Sequence, residues 1–131
     1  MELREQSLIV SNTYDPTRPP QFLGDLAWTT EAVLNILKNC MEHTPIGGEI
    51  QVSFSQNAIF TEIIIEDNGP GFEKKDLPHL FERFYKGKNA LDHSVGIGLA
   101  FARMIVTSQN GTLKAENSKE GGARFIMKFY P

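Results

Sequence analysis

Glu31, Asn35, Asn39 and His43 stand at steps of four, so in a helix they share one stripe, with Lys38 and Glu42 alongside. Asn is a poor helix-interior residue because its amide competes for the backbone. Two Asn one turn apart therefore have two readings, a solvated face or a face that meets a ligand. The second has a definite chemistry, since an amide oxygen is a hard, neutral donor suited to Mg²⁺, which otherwise keeps waters and phosphate oxygens. A second group is Asp67-Asn68-Gly69-Pro70-Gly71. A turn explains each dipeptide, but the whole string follows the apolar run Ile63-Ile64-Ile65. That puts a carboxylate at a strand end, able to accept from an exocyclic amine, beside glycines whose missing Cβ lets backbone approach a flat base.

Gly96-Ile97-Gly98 at a helix entry is either a tight turn or, through free N–H groups and the helix dipole, an anion site for a di- or triphosphate. Between the glycine groups runs Leu80-Phe81-Glu82-Arg83-Phe84-Tyr85-Lys86-Gly87-Lys88. It suits a surface loop anchored by its aromatics. It equally suits a lid in which Phe81 and Phe84 dock while Arg83, Lys86 or Lys88 reaches phosphate. Neither Gly-x₄-Gly-Lys-Ser/Thr nor a strand-linked Gly-x-Gly-x-x-Gly occurs, so the two commonest nucleotide folds are not indicated.

The elements that must position these groups are legible from periodicity. Residues 4–12 predict a strand, and Asp15-Pro16-Thr17-Arg18-Pro19-Pro20 a loop. Asp25 to about His43 lacks Gly and Pro, and Leu26, Val33, Leu37 and Cys40, with Ile36 and Met41 beside them, predict the core stripe of a helix. Thr44-Pro45-Ile46-Gly47-Gly48 ends it. Ile50, Val52 and Phe54 alternate with polar residues, and with the run from Ile59 to Glu66 they predict a hairpin turning at Gln56-Asn57. Residues 72–95 are polar and weakly periodic, with one or two short helical turns. A second helix runs from Gly96 to about Gln109, with Leu99, Ala102 and Val106 on one face, and Asn110-Gly111 closes it. Thr112–Asn117 and Ala123–Tyr130 predict a hairpin around Glu120-Gly121-Gly122. The order favours an antiparallel-rich sheet with helices on one face.

Composition sets the bounds. A chain of 131 residues, 40% hydrophobic and 22% charged, is expected to build one core. Its net charge of -3 is the wrong sign for bulk binding of nucleic acid, so none is expected as a partner. One cysteine, Cys40, makes neither an internal disulfide nor a zinc framework, which favours a cytoplasmic setting. No run reaches membrane-spanning length, and Met1-Glu2-Leu3-Arg4-Glu5 does not begin a signal peptide.

Taken in order, Asn35-Ile36-Leu37-Lys38-Asn39-Cys40-Met41-Glu42-His43-Thr44-Pro45, Asp67-Asn68-Gly69-Pro70-Gly71-Phe72, Leu80-Phe81-Glu82-Arg83-Phe84-Tyr85 and Gly96-Ile97-Gly98-Leu99-Ala100 resemble four motifs of one family. They are the N, G1, F and G2 boxes of the catalytic and ATP-binding domain of bacterial two-component sensor histidine kinases. The boxes span residues 31–103 and the flanking strands fit the same domain, so the resemblance covers essentially all of 1–131. It implies the Bergerat fold shared with gyrase, mismatch-repair ATPases and the ninety-kilodalton heat-shock chaperones. This is an α/β (α+β) two-layer sandwich whose mixed, mainly antiparallel sheet is covered on one face by helices, with an ATP lid at about 72–95.

The resemblance also implies roles. Asn39 would be the Mg²⁺ ligand and Asn35 would lie near the phosphates; Asp67 would hold the adenine amine, and Gly69 and Gly71 would line the base pocket. Gly96 and Gly98 would border the phosphates, and Lys86 would stand near the γ-phosphate, sharing the catalytic assignment with Asn35. His43, Phe72, Phe81, Tyr85, Ile97 and Leu99 complete the ATP-binding set. Relatives that hydrolyse ATP or phosphorylate serine typically carry Glu four residues before the metal-binding Asn, as a general base; Asn35 holds that place here. An amide cannot take a proton, so the nucleophile must already be competent, as a neutral imidazole is. Glu42 stands where these kinases frequently have Lys, and Ser94 where the G2 box often has a further Gly.

In the family the phosphoacceptor histidine lies in a separate helical dimerisation domain. His43 falls in the N box and His79 and His93 in the lid, so none is expected to be the acceptor. The implied partners are the histidine-containing dimerisation domain of the same sensor, homodimeric at full length, and a response regulator. The chain would be the cytoplasmic catalytic domain of a sensor held in the bacterial cell membrane. The competing classes are a nucleotide-binding regulatory module of degenerate-kinase or anti-sigma type, and a purely structural domain. Asn39, Asp67 and the paired glycines argue against degeneracy, and Asn35 against the anti-sigma type.

Overall fold

A computed structural model describes residues 7–12, 25–83 and 98–130. The elements are β1 (Ser7–Asn12), α1 (Leu26–His43), β2 (Glu49–Gln56), β3 (Thr61–Asp67), α2 (Gly98–Ser108), β4 (Gly111–Asn117) and β5 (Ala123–Phe129), with a 3₁₀ turn at Leu77–His79 between β3 and α2. The strands form one sheet in the order β1-β2-β3-β5-β4. Only β1 and β2 pair in parallel; the other three ladders are antiparallel. The parallel pair requires a crossover, and α1 is that crossover. The sheet is thus mixed and mainly antiparallel, as the resemblance implies.

Burial in β3 alternates, so Thr61, Ile63, Ile65 and Asp67 face inward and Glu62, Ile64 and Glu66 outward. Three consecutive isoleucines conceal this parity in the sequence; the structure fixes it, and it turns Asp67 toward the helices. From β5, Phe125, Met127 and Phe129 join this layer, opposite Ile65, Ile63 and Thr61. Against it lie Ala32, Ile36, Cys40 and Met41 of α1 and Ala102, Ile105 and Val106 of α2. The predicted α1 stripe holds at Ile36, Cys40 and Met41, which are buried, while Val33 and Leu37 are half-buried and pack against the same core. Thr29 and Ala32, which the hydrophobicity pattern does not single out, are buried as well, and the side chain of Leu26 lies outside the described residues.

Asp25 caps α1, its carboxylate accepting from Trp28 N at 3.0 Å. At the other end Thr44 turns back, its hydroxyl and its N–H both donating to Cys40 O, at 2.6 and 2.9 Å. Gln109, just past α2, accepts from Asp25 N and bonds the Thr29 hydroxyl, which ties the end of α2 to the first turn of α1. Asn110 closes α2 in the left-handed region at φ 60°, so the Asn of Asn110-Gly111 performs the chain reversal.

Candidate functional site

Three segments converge at the C-terminal half of α1. Gly69 lies against its end so closely that a Cβ there would sit 2.8 Å from His43 O and 3.5 Å from Thr44 Cα. Gly98, the first residue of α2, faces Asn35, whose Oδ1 would be 3.4 Å from an added Cβ. Thus Asn35, Asn39, His43, Asp67, Gly69 and Gly98, far apart in sequence, border one region. Phe84, Tyr85, Lys86, Lys88, His93, Ser94, Gly96 and Ile97 lie outside the described residues, as does the 15–20 loop.

Asp67 is 6% exposed. Its Oδ1 accepts from Gly69 N at 2.9 Å and Ala123 N at 3.2 Å, while Oδ2 is buried with no partner. Oδ1 is spent on holding the turn, and Oδ2 is left to accept from something else. Leaving a buried carboxylate oxygen unpaired is costly, which makes this atom a marker for a ligand donor. Asn39 presents a second such atom: its Oδ1 is buried and unpartnered too. Both orphaned atoms are oxygen acceptors, one anionic and one neutral. That donor set fits an amine at Asp67 and a hard cation at Asn39. Among the described residues no cluster of three His, Cys, Asp or Glu is placed to hold a metal ion, so a cation would depend on this amide oxygen and on ligand oxygens.

Cys40 lies beside Asp67. Burial pushes its thiol well above the ordinary value of 9.0, and the negative charge of Asp67 adds to the effect. It is therefore a neutral thiol under the carboxylate, and not a nucleophile.

The turn after Asp67 is built as a rigid wall. Asn68 accepts from Glu49 N at 2.8 Å through its side chain and donates its N–H to Glu49 O at 3.1 Å, fastening the turn to β2. Gly71 has φ +75°, and a Cβ there would lie 2.2 Å from Gly121 O. The Phe72 ring meets Phe125 edge-on at 5.7 Å, and Phe81 packs on the core with the Arg103 guanidinium 5.3 Å from its centroid. Leu99 is likewise half-buried against the core. The 3₁₀ turn supplies the short helical piece expected within 72–95, with His79 bonded to Glu82 at 2.8 Å. Nothing in the residue pattern signals the Ala123 N–H on Asp67 or the Asn117 amide on Phe72; only the predicted hairpin puts them within reach.

Comparison with known proteins shows the family of the chain. A family model for histidine kinase-, DNA gyrase B- and HSP90-like ATPases matches residues 24–131. The chain belongs to that family and is an ATP-binding catalytic domain of the histidine kinase type. It is 36% identical over 106 residues to the signal transduction histidine-protein kinase/phosphatase MprB of Mycolicibacterium vanbaalenii, covering 79% of this chain and 22% of that protein. With the sensor histidine kinase YvrG of Bacillus subtilis it shares 33% over 111 residues, 83% of this chain and 19% of the relative. The solved mycobacterial sensor histidine kinase MprB superposes with a TM-score of 0.83 at 26% identity, covering 96% of this chain and 84% of that one. The chain spans about a fifth of the length of the curated relatives it matches. No helix among the described residues is long and apolar enough to cross a membrane.

Proposed function

We propose that the chain binds Mg·ATP and passes the γ-phosphoryl group to a histidine on a dimerisation domain of the same sensor protein, from which it is relayed to a response regulator. The observation that carries this reading is the pair of orphaned acceptors, Asp67 Oδ2 and Asn39 Oδ1, at one end of α1. Asp67 accepts from the adenine amine while Gly69 and Gly71 let the backbone lie against the base. Asn39 holds Mg²⁺ through its amide oxygen, and the ion when bound neutralises phosphate charge. Asn35, next to Gly98, borders the phosphates at the start of α2. Lys86 is assigned to the γ-phosphate by its sequence position.

Asn35 takes no proton. The acceptor imidazole attacks the γ-phosphorus with its own lone pair as the bond to the bridging oxygen breaks; ADP leaves with that electron pair, and the ring N–H proton goes to solvent. The chain's contribution is alignment and charge stabilisation rather than base catalysis. Full-length, the protein would be a homodimer in the bacterial cell membrane with this domain on the cytoplasmic side. Mixing the chain with a histidine-containing dimerisation domain and γ-labelled ATP tests the reading. Acid-labile label on the added domain is expected, and its absence despite nucleotide binding would overturn the transfer.

A further inference from the structure

At the end of β4 the Asn117 side chain makes both of its bonds to a single residue 45 positions away. Its Oδ1 accepts from Phe72 N at 2.7 Å, and its Nδ2 donates to Phe72 O at 2.8 Å. The amide acts as a one-residue strand, capturing the backbone just beyond the Asp67–Gly71 turn. The hairpin that carries it is itself braced by Ser118, whose N–H donates to Gly122 O at 2.8 Å, whose carbonyl accepts from Gly121 N at 3.0 Å and whose hydroxyl accepts from Gly122 N at 3.1 Å. The other side of the hairpin supplies Ala123 N–H to Asp67 Oδ1. Gly122 approaches so near that a Cβ would be 1.9 Å from Asp67 O. The turn from Asp67 to Phe72 is thus gripped at both ends by one hairpin.

We propose that Asn117 is a positioning residue of the nucleotide site, holding the segment from Gly69 to Phe72 in the shape that receives the base. This rests on the nucleotide reading above. Asn117 is exposed and outside the hydrophobic core, so its amide contributes to the loop's shape more than to the domain's packing. If the loop leaves that shape, the binding-competent fraction falls and the apparent Kd rises by the same factor. The factor is set at the base end of the ligand, so it is independent of phosphate number and of Mg²⁺. Only a side chain with one donor and one acceptor in an amide's geometry makes both bonds. Asp keeps the acceptor but turns a second oxygen toward Phe72 O.

The test is calorimetry of the 131-residue chain and its N117A and N117D variants with ADP and ATP, each with and without Mg²⁺, together with amide exchange at Phe72. Both variants should lose roughly tenfold in affinity, by one common factor in all four conditions, and expose the Phe72 amide to exchange while the β3 and β5 amides stay protected. Wild-type affinity in the variants would overturn the role of Asn117 alone. A loss confined to ATP, or to Mg²⁺, would overturn it as well, by placing the effect at the phosphates. Fast exchange at Phe72 in the free wild-type chain would show that the clamp does not form. A wild-type chain that binds neither nucleotide would strike the nucleotide reading itself.

Discussion

The Cys40 thiol lies beside the Asp67 carboxylate, joining the one cysteine of the chain to the one carboxylate that ends a core strand. Burial first, and Asp67 second, hold that thiol neutral. Its folded-state pKa is above the ordinary 9.0, so on raising the pH the unfolded chain loses this proton first. The associated stability is full below about pH 9 and is lost as pH rises through the folded-state value, at up to about 1.4 kcal/mol per pH unit. Denaturant titrations of wild type and C40A should differ by a constant up to about pH 9 and converge above it. At pH 7–8 the native thiol should resist alkylation that the unfolded chain accepts.

Asp67 has divided duties, and D67N separates them. The amide keeps an oxygen for Gly69 N and Ala123 N but puts NH₂ where Oδ2 stands. The fold should persist, while adenine nucleotide affinity falls by about 1.5–3 kcal/mol, roughly 10- to 150-fold. Calorimetry with ADP reads the loss, and unchanged affinity would remove Asp67 from the base site.

Asn39 makes the opposite test of a buried polar group. Its Oδ1 has no protein partner, so N39A removes an unpaired acceptor and should leave the stability of the free chain within about 1 kcal/mol. Nucleotide binding measured with Mg²⁺ should weaken more than binding measured in chelator. Equal losses in the two conditions would exclude the metal contact.

The glycines of the β4–β5 turn differ in a way that thermal melts can resolve. Gly122 has Asp67 O in its path, whereas Gly121, at φ +97°, has nothing within 4 Å. G121A meets only backbone strain of roughly 1 kcal/mol, with nucleotide affinity retained. G122A forces the hairpin off Asp67 and should cost about 1–3 kcal/mol and weaken nucleotide binding with it.

The order of elements was legible because each is short, capped or interrupted by Gly and Pro, and alternates or repeats at its own period. The stripe Asn35, Asn39 was legible as a candidate ligand face only because Asn is unsuited to a helix interior. What remained hidden depends on packing between distant segments. The parity of Ile63-Ile64-Ile65 decides whether Asp67 faces the helices, and three identical side chains carry no parity. Ile36, Cys40 and Met41 were legible on the α1 core face, but Thr29 was not, because a hydroxyl ranks low in a hydrophobicity pattern and is buried here by its bond to Gln109 at the end of α2. Asn117 reads as an ordinary turn residue until β5 and the Asp67 turn are seen on either side of it.

The last prediction concerns where the phosphoryl group goes. His79 is engaged with Glu82, and the His43 carbonyl abuts Gly69 while its ring remains half-buried on α1. Neither lies in the helical dimerisation domain that carries the acceptor histidine in the proposed function. Asn35 itself lacks the basicity to activate water, and a missing general base typically costs about 10²–10⁴-fold in rate. The chain alone with γ-labelled ATP should therefore bind nucleotide yet show no acid-labile label and only slow phosphate release. N35E should raise phosphate release by water without raising transfer to an added histidine domain, since the imidazole needs no base. Label appearing on His43 or His79 of the isolated chain at a kinase's rate would defeat this division of labour, as would loss of transfer in wild type that only N35E restores.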